Sequence, residues 1–174
     1  MKNLQVQETN KLKCKTAITF GVIAVSILMF FVFFVHKEQY LILENGDTGE
    51  EIYQVFAPDG FEFAVSFIHS VNKSDVIEGF RIEDGAIFVE WCKYSSFGAG
   101  MPTDLAPGEI LSYDGGQMQI SNMHRAVPNL SYIVGTVYNH YLIIDDVKQN
   151  ICDYTPKNTK VKFLVGNKYH IRLP

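Results

Sequence analysis

His69 and Glu78 are the two residues whose types and spacing most suggest a site in this sequence. A turn centred on Lys73-Ser74 would place them opposite each other on neighbouring strands, with Cβ atoms about 5 Å apart. An imidazole and a carboxyl group at that distance can pair with each other or bind a ligand, an ion or a partner protein. A purely structural pair that fixes the strand register is the first interpretation to weigh against this one. A different strand register is a third, and the sequence leaves all three open.

Two turns predict the strands that position this pair. The first, at Lys73-Ser74, places His69 opposite Glu78, and the second, an Asp84-Gly85 hairpin turn, places Glu78 opposite Trp91. Side chains alternate between the two faces of a strand, so both turns predict one shared and otherwise apolar face. That face comprises Val65, Phe67, His69, Glu78, Phe80, Ile82, Ile87, Val89 and Trp91.

A glycine-rich segment follows Trp91 and could reach the same end of the sheet. Gly98, Ala99 and Gly100 predict a tight corner whose exit is set by Pro102, and their backbone amides could face a ligand or a partner. A serine hydrolase is a weaker alternative. Ser70 points away from His69, so Ser95 or Ser96 would have to be the nucleophile, and the sequence lacks a Gly-x-Ser-x-Gly elbow.

No metal, cofactor or catalytic residue is predicted. His69, Glu78, Asp104, His124 and His140 have suitable ligand types, but their spacing matches no metal motif. Cys92 and Cys152 are expected to be free thiols, with a disulfide between them as the alternative.

The remaining pattern predicts the fold. Short apolar segments alternate with turn residues from residue 40 to the end, which is typical of an all-β domain, either an antiparallel β-sandwich or a partly open barrel. Its last two strands, residues 161–165 and 169–173, are predicted to form a hairpin across Gly166-Asn167.

An uncharged run at residues 16–35 is long enough to cross a bilayer. We expect a cytoplasmic tail at 1–15, a single transmembrane anchor at 16–36 and an extracytoplasmic domain at 40–174. Lysines crowd the tail ahead of the run, so the amino terminus is expected in the cytoplasm of a cell-membrane protein. A cleaved signal sequence is the alternative. The net charge of −4 and the mildly acidic domain argue against a nucleic-acid partner.

Three segments together resemble a bacterial family, the domain-of-unknown-function family 1850. They are residues 67–74, residues 78–80 and residues 96–102, and residues 139–142 resemble a later motif of the family. The resemblance implies a non-enzymatic accessory protein of a TAXI-type TRAP transporter, docking on its permease or substrate-binding protein. A module that binds a small ligand or metal at His69 and Glu78 is the alternative. The expected contact residues are His69, Ser70, Lys73, Ser74, Glu78, Trp91, Ser96, Gly98, Ala99, Gly100, Pro102 and His140.

Overall fold

The computed structural model describes residues 2–71, 73–95 and 105–171. The chain forms two compact units, one made of residues 1–38 with 168–174 and the other of residues 39–167. The first unit contains the helix α1, Lys2–Phe34. Its window Lys15–Val32 has a mean hydropathy of 2.1 and no buried residue, so it is long and apolar enough to cross a membrane as an anchor or a signal sequence.

Twelve strands follow α1 within the described residues. They are β1 (Val35–Asn45), β2 (Glu51–Phe56), β3 (Glu62–Ile68), β4 (Asp75–Glu83), β5 (Ala86–Tyr94), β6 (Ile110–Asp114), β7 (Gln117–Ser121), β8 (Arg125–Ala126), β9 (Ser131–Val134), β10 (His140–Ile144), β11 (Val147–Asn150) and β12 (Thr159–Ile171). A short 3-10 helix, Ile151–Asp153, lies between β11 and β12.

These strands form two sheets, which confirms the predicted all-β fold in its sandwich form. The small sheet has the order β2-β1-β12-β9, and the large sheet has the order β11-β10-β3-β4-β5-β7-β6, with β8 beside β5. Leu41 and Phe163 of the small sheet share one buried core with Phe63 and Val65 of the large sheet. Phe63 and Phe163 stack across the interface with their ring centroids 6.0 Å apart.

The predicted hairpin at Gly166-Asn167 is wrong, because β12 runs without interruption from Thr159 to Ile171. Gly166 lies inside this strand against Ile42 of β1, where a Cβ atom would be 2.6 Å from the Ile42 Cδ1 atom. The glycine therefore serves close packing between strands and not a turn.

The predicted register between β3 and β4 is also wrong, by four residues. Glu78 lies opposite Val65, and the pairing ends at Ile68 with Asp75. The amide of His69 donates to the Ser74 carbonyl at 2.9 Å, and the Lys73 amide donates to the His69 carbonyl at 2.8 Å. The turn is therefore centred two residues earlier than predicted. Since a shift of four residues is even, the predicted face is preserved.

The register between β4 and β5 is confirmed only on the turn side of a bulge. Ile82 pairs with Ile87 and Phe80 with Val89, as predicted, across a turn in which Asp84 and Gly85 both have positive φ. A β-bulge then inserts Glu90, so that Trp91 pairs with Gly79 and Cys92 with Glu78. The extra residue moves Trp91 to the opposite face and brings Cys92 to the inner face.

Candidate functional site

The Glu78 carboxyl group is the centre of the site. Glu78 lies on the inner face of β4, and Tyr132 lies on β9 of the other sheet. The Tyr132 hydroxyl donates a hydrogen bond of 2.5 Å to Glu78 Oε2, which links the two sheets. It is the one hydrogen bond that this carboxyl group makes among the described residues.

Burial controls the protonation of this pair. Removal from water raises the pKa of Glu78, and the hydrogen bond from Tyr132 only partly opposes that shift. Burial and the neighbouring Glu78 carboxyl raise the pKa of Tyr132 well above its ordinary value. Burial, with a smaller contribution from Glu78, also raises the pKa of the Cys92 thiol to about 12. Tyr132 and Cys92 are therefore neutral near pH 7 and can only donate or accept hydrogen bonds around Glu78.

A cavity of about 370 Å³ lies beside Glu78 on the inner face of the large sheet. His69 lines it, so the structure brings the two sequence-predicted residues to one cavity even though they are not cross-strand partners. The other lining residues are apolar or thiol side chains: Phe67, Val76, Phe80, Val89, Cys92, Met123, Val127 and Leu130.

The segment between β7 and β9 supplies one wall of this cavity. The Met123 amide donates to the carbonyl of the bulge residue Glu90 at 3.0 Å, and the Val127 amide donates to the Ile87 carbonyl at 2.8 Å. Arg125 between them forms an ion pair with Glu109, whose side chain is 1% exposed. These contacts fix the segment along β5 and hold the cavity's wall in place.

His69 itself forms part of the β3–β4 turn. Its Nδ1 atom accepts a hydrogen bond of 3.3 Å from the Val71 amide. Lys73 has a positive φ of 51° and is exposed, and Ser74 takes part through its carbonyl. The turn thus uses the backbone of both residues and leaves the Lys73 side chain at the surface.

His140 lies next to the site because β10 pairs with β3. Its ring stacks on Phe67, with centroids 5.1 Å apart and planes at 16°, and it also contacts Tyr132. Burial lowers the pKa of His140, opposed by the Tyr138 carbonyl. A second cavity of about 180 Å³ is lined by His69, Ser70 and His140 among others, so these three predicted residues share one surface.

Trp91 is the predicted site residue that does not lie on the predicted inner face. The bulge turns it to the outer face of the sheet, where its ring covers Gly79. Ser96, Gly98, Ala99, Gly100 and Pro102 lie outside the described residues. Ser95, the other serine of the hydrolase alternative, is an exposed residue directly after β5.

Within the described part of the chain, no group of three His, Cys, Asp or Glu side chains is arranged to hold a metal ion. Cys92 and Cys152 are free thiols.

Sequence reasoning missed three residues of the site: Tyr132, Cys92 and Met123. Tyr132 is 54 residues from Glu78 and on the other sheet, so no local pattern indicates the contact. Cys92 had a signal that could have been used. A tryptophan facing a cross-strand glycine has room on that face, and the pair Gly79–Trp91 would have indicated the bulge.

Comparison with known proteins gives one match. The family model described as domain of unknown function (DUF1850) matches residues 63–151, a range that includes Glu78, Tyr132 and His140. No curated protein and no solved structure matches the chain.

Proposed function

Because the chain belongs to the DUF1850 family, a domain family of unknown function, we propose that it is a membrane-anchored accessory protein without enzymatic activity. In this proposal it serves a TAXI-type TRAP transporter, and its β-domain docks on the permease or on the substrate-binding protein. The amino terminus is in the cytoplasm and the β-domain is on the other side of the cell membrane.

The exposure of the apolar helix is the observation that carries the proposal. No residue of the window Lys15–Val32 is buried, and Phe20 and Leu28 are 68% and 65% exposed. Apolar surface of this extent is unfavourable in water by about 25 cal/mol per Å². Insertion into a bilayer removes that surface from water and confines the β-domain to the membrane surface, where it can dock on an integral membrane protein such as a transporter.

A separate observation supports a docking surface at the end of the sandwich formed by the β3–β4 turn and the β9–β10 loop. Val71 of the β3–β4 turn is 69% exposed and Val137 of the β9–β10 loop is 68% exposed. Ser70 and Val137 line the same 180 Å³ cavity, which joins the two loops. Exposed apolar patches rimmed by polar residues mark protein–protein contacts, and Val71 and Val137 are exposed apolar side chains on these two loops.

Co-purification from mild detergent tests the docking. We expect the wild-type chain to retain a co-expressed permease or binding protein, and the double variant Val71→Asp/Val137→Asp to lose it by at least about tenfold. Val147→Asp is the matched control, because Val147 is 59% exposed at the start of β11. Failure of the wild type to retain either partner, or equal retention by all three proteins, contradicts the proposal.

The cavity beside Glu78 favours a second function, a module that binds a small ligand. Its volume of about 370 Å³ is within the usual range of small-molecule sites, and its apolar walls surround few polar groups. A thermal-shift screen of the purified chain separates the two functions, since docking requires no small molecule.

A further inference from the structure

The Oε1 atom of Glu78 indicates which class of ligand the cavity can bind. Tyr132 donates to Oε2, and the described residues offer no hydrogen bond to Oε1. Both Glu78 and the apolar residues around it line the cavity. An ionised carboxyl group in largely apolar surroundings is unfavourable unless a donor or a cation compensates it.

The described protein does not supply that cation. The lining residues include no lysine or arginine, and the one basic group among them is the imidazole of His69. A ligand carrying a carboxylate or phosphate would therefore add a second negative charge to the cavity without a compensating guanidinium or ammonium group. A positively charged ligand would remove the charge imbalance.

The side chains that line the cavity favour a cation with an ammonium group on an apolar body. Phe67 and Phe80 present aromatic rings to the cavity, and the remaining lining is mainly aliphatic. Aromatic rings attract ammonium groups, and aliphatic walls favour a ligand whose body is apolar. His69 and Met123 are partly exposed, so the cavity has a rim through which a ligand can enter.

We propose that this cavity binds a small organic cation, a protonated amine on an apolar body, with its ammonium group donating to Glu78 Oε1. The inference rests on the second function above, the small-ligand module, and names its ligand class. It is independent of the docking surface, because neither Val71 nor Val137 lines this cavity.

The charge pairing predicts how affinity depends on pH. Burial raises the pKa of Glu78, so a proton competes with the ligand, and affinity should increase as the pH rises until the carboxyl is ionised. The titratable groups facing Glu78 or its hydrogen-bond partner are His69, Cys92, Tyr132 and His140. Since Cys92 and Tyr132 stay neutral below about pH 9 and the pKa of His140 is lowered, a rise in affinity with pH is assigned to Glu78 if it is lost in Glu78→Gln and kept in His69→Gln.

The test is isothermal titration of the full-length chain in detergent with three ligands of one shape: cyclohexylammonium, cyclohexanol and cyclohexanecarboxylate. We expect cyclohexylammonium to bind at least about tenfold more tightly than cyclohexanol, and the carboxylate to bind most weakly. Glu78→Gln should remove the preference for the ammonium ligand while keeping a folded protein, since the amide oxygen still accepts from Tyr132. Cys92→Ala, which changes the same wall but keeps the carboxyl, should retain the preference.

The possible outcomes are distinct. If none of the three ligands binds, both the small-ligand function and the cation inference are refuted. If cyclohexanol or the carboxylate binds as tightly as the ammonium ligand, the cavity is a ligand site but the cation inference is wrong. A preference that survives Glu78→Gln also overturns the inference, because it would place the cation elsewhere.

Discussion

At the scale of residues, the stability of the domain depends on how Glu78 is compensated. A buried carboxyl group with one hydrogen bond is tolerated where that bond is strong or the group is protonated. Tyr132 supplies the hydrogen bond from the opposite sheet, and burial favours the protonated form. Both conditions can be tested by changing one atom or group at a time.

Removing the Tyr132 hydroxyl should destabilise the protein. Tyr132→Phe leaves the part-buried Glu78 carboxyl without a hydrogen bond among the described residues, and we expect the free energy of unfolding to fall by about 1–3 kcal/mol. Urea denaturation followed by tryptophan fluorescence measures this. Tyr113→Phe is the control, because Tyr113 is 72% exposed and its loss should leave stability unchanged. Equal stability of the two variants would mean that the inter-sheet hydrogen bond is not important.

The raised pKa of Glu78 predicts a pH dependence with a definite sign. The folded protein holds this proton more tightly than the unfolded chain, whose carboxyl has the ordinary value of 4.5. The contribution of Glu78 to stability therefore falls as the pH rises from 4.5 through the folded-state pKa. Glu78→Gln removes the titrating group, so the stability of the variant relative to wild type should increase as the pH rises. This difference should become constant above the folded-state pKa of Glu78. Thermal melts from pH 4 to 9 measure the difference, and a difference independent of pH would contradict the expectation.

At the scale of elements, the bulge in β5 decides which side chains reach the site. Without Glu90 as an extra residue, Trp91 would face the core and Cys92 would face outward. The same point on β5 changes partners, since β8 pairs with Phe88 and Val89 while β7 pairs with residues 92–94. The bulge therefore both rotates the strand and makes room for the cavity's wall.

The close contact of Gly79 with Trp91 gives a test of the bulge. A Cβ atom on Gly79 would be 2.0 Å from Trp91 Cε2, so Gly79→Ala should destabilise the protein by about 1–3 kcal/mol through overpacking. In a Trp91→Ala background the same methyl group has space, and most of that effect should disappear. Urea denaturation of the four proteins, followed by circular dichroism, measures the coupling. Additive effects would argue against this packing.

Local signals predicted the parts of the sheet that local chemistry controls. The Asp84-Gly85 turn was predictable because both residues tolerate positive φ, and it fixed the pairs nearest to it. The position of the β3–β4 turn was not predictable from local signals, because the His69 side chain accepts a hydrogen bond from the Val71 amide and the turn begins early. The inner face was still predicted correctly up to Val89, since apolar residues alternate along the strands and the error was an even number of residues. Tyr132 reaches Glu78 only through the packing of two sheets, which alternation within one strand does not encode.

At the scale of the whole molecule, the chain combines an apolar helix with a β-sandwich that has a site of its own. The two units are covalently continuous, since the chain passes from the first to the second between residues 38 and 39. An anchor requires only that continuity, whereas the cavity and the docking surface are built entirely from residues 67–140 of the second unit. The membrane arrangement and the binding chemistry can therefore be tested separately.

The proposed orientation predicts which cysteines an impermeant reagent reaches. Cys14 precedes the apolar window, after lysines at positions 11 and 13 that favour the cytoplasmic side. Val147 is exposed on the β-domain, so Val147→Cys in a background with Cys92→Ala and Cys152→Ser offers a site on the opposite side. In intact cells, with any outer membrane permeabilised, an impermeant maleimide should label Val147→Cys but not Cys14, and both should react after detergent lysis. Labelling of Cys14 before lysis would show that the orientation is opposite to the proposed one. Release of the labelled β-domain as a shorter soluble chain would identify the apolar segment as a cleaved signal sequence.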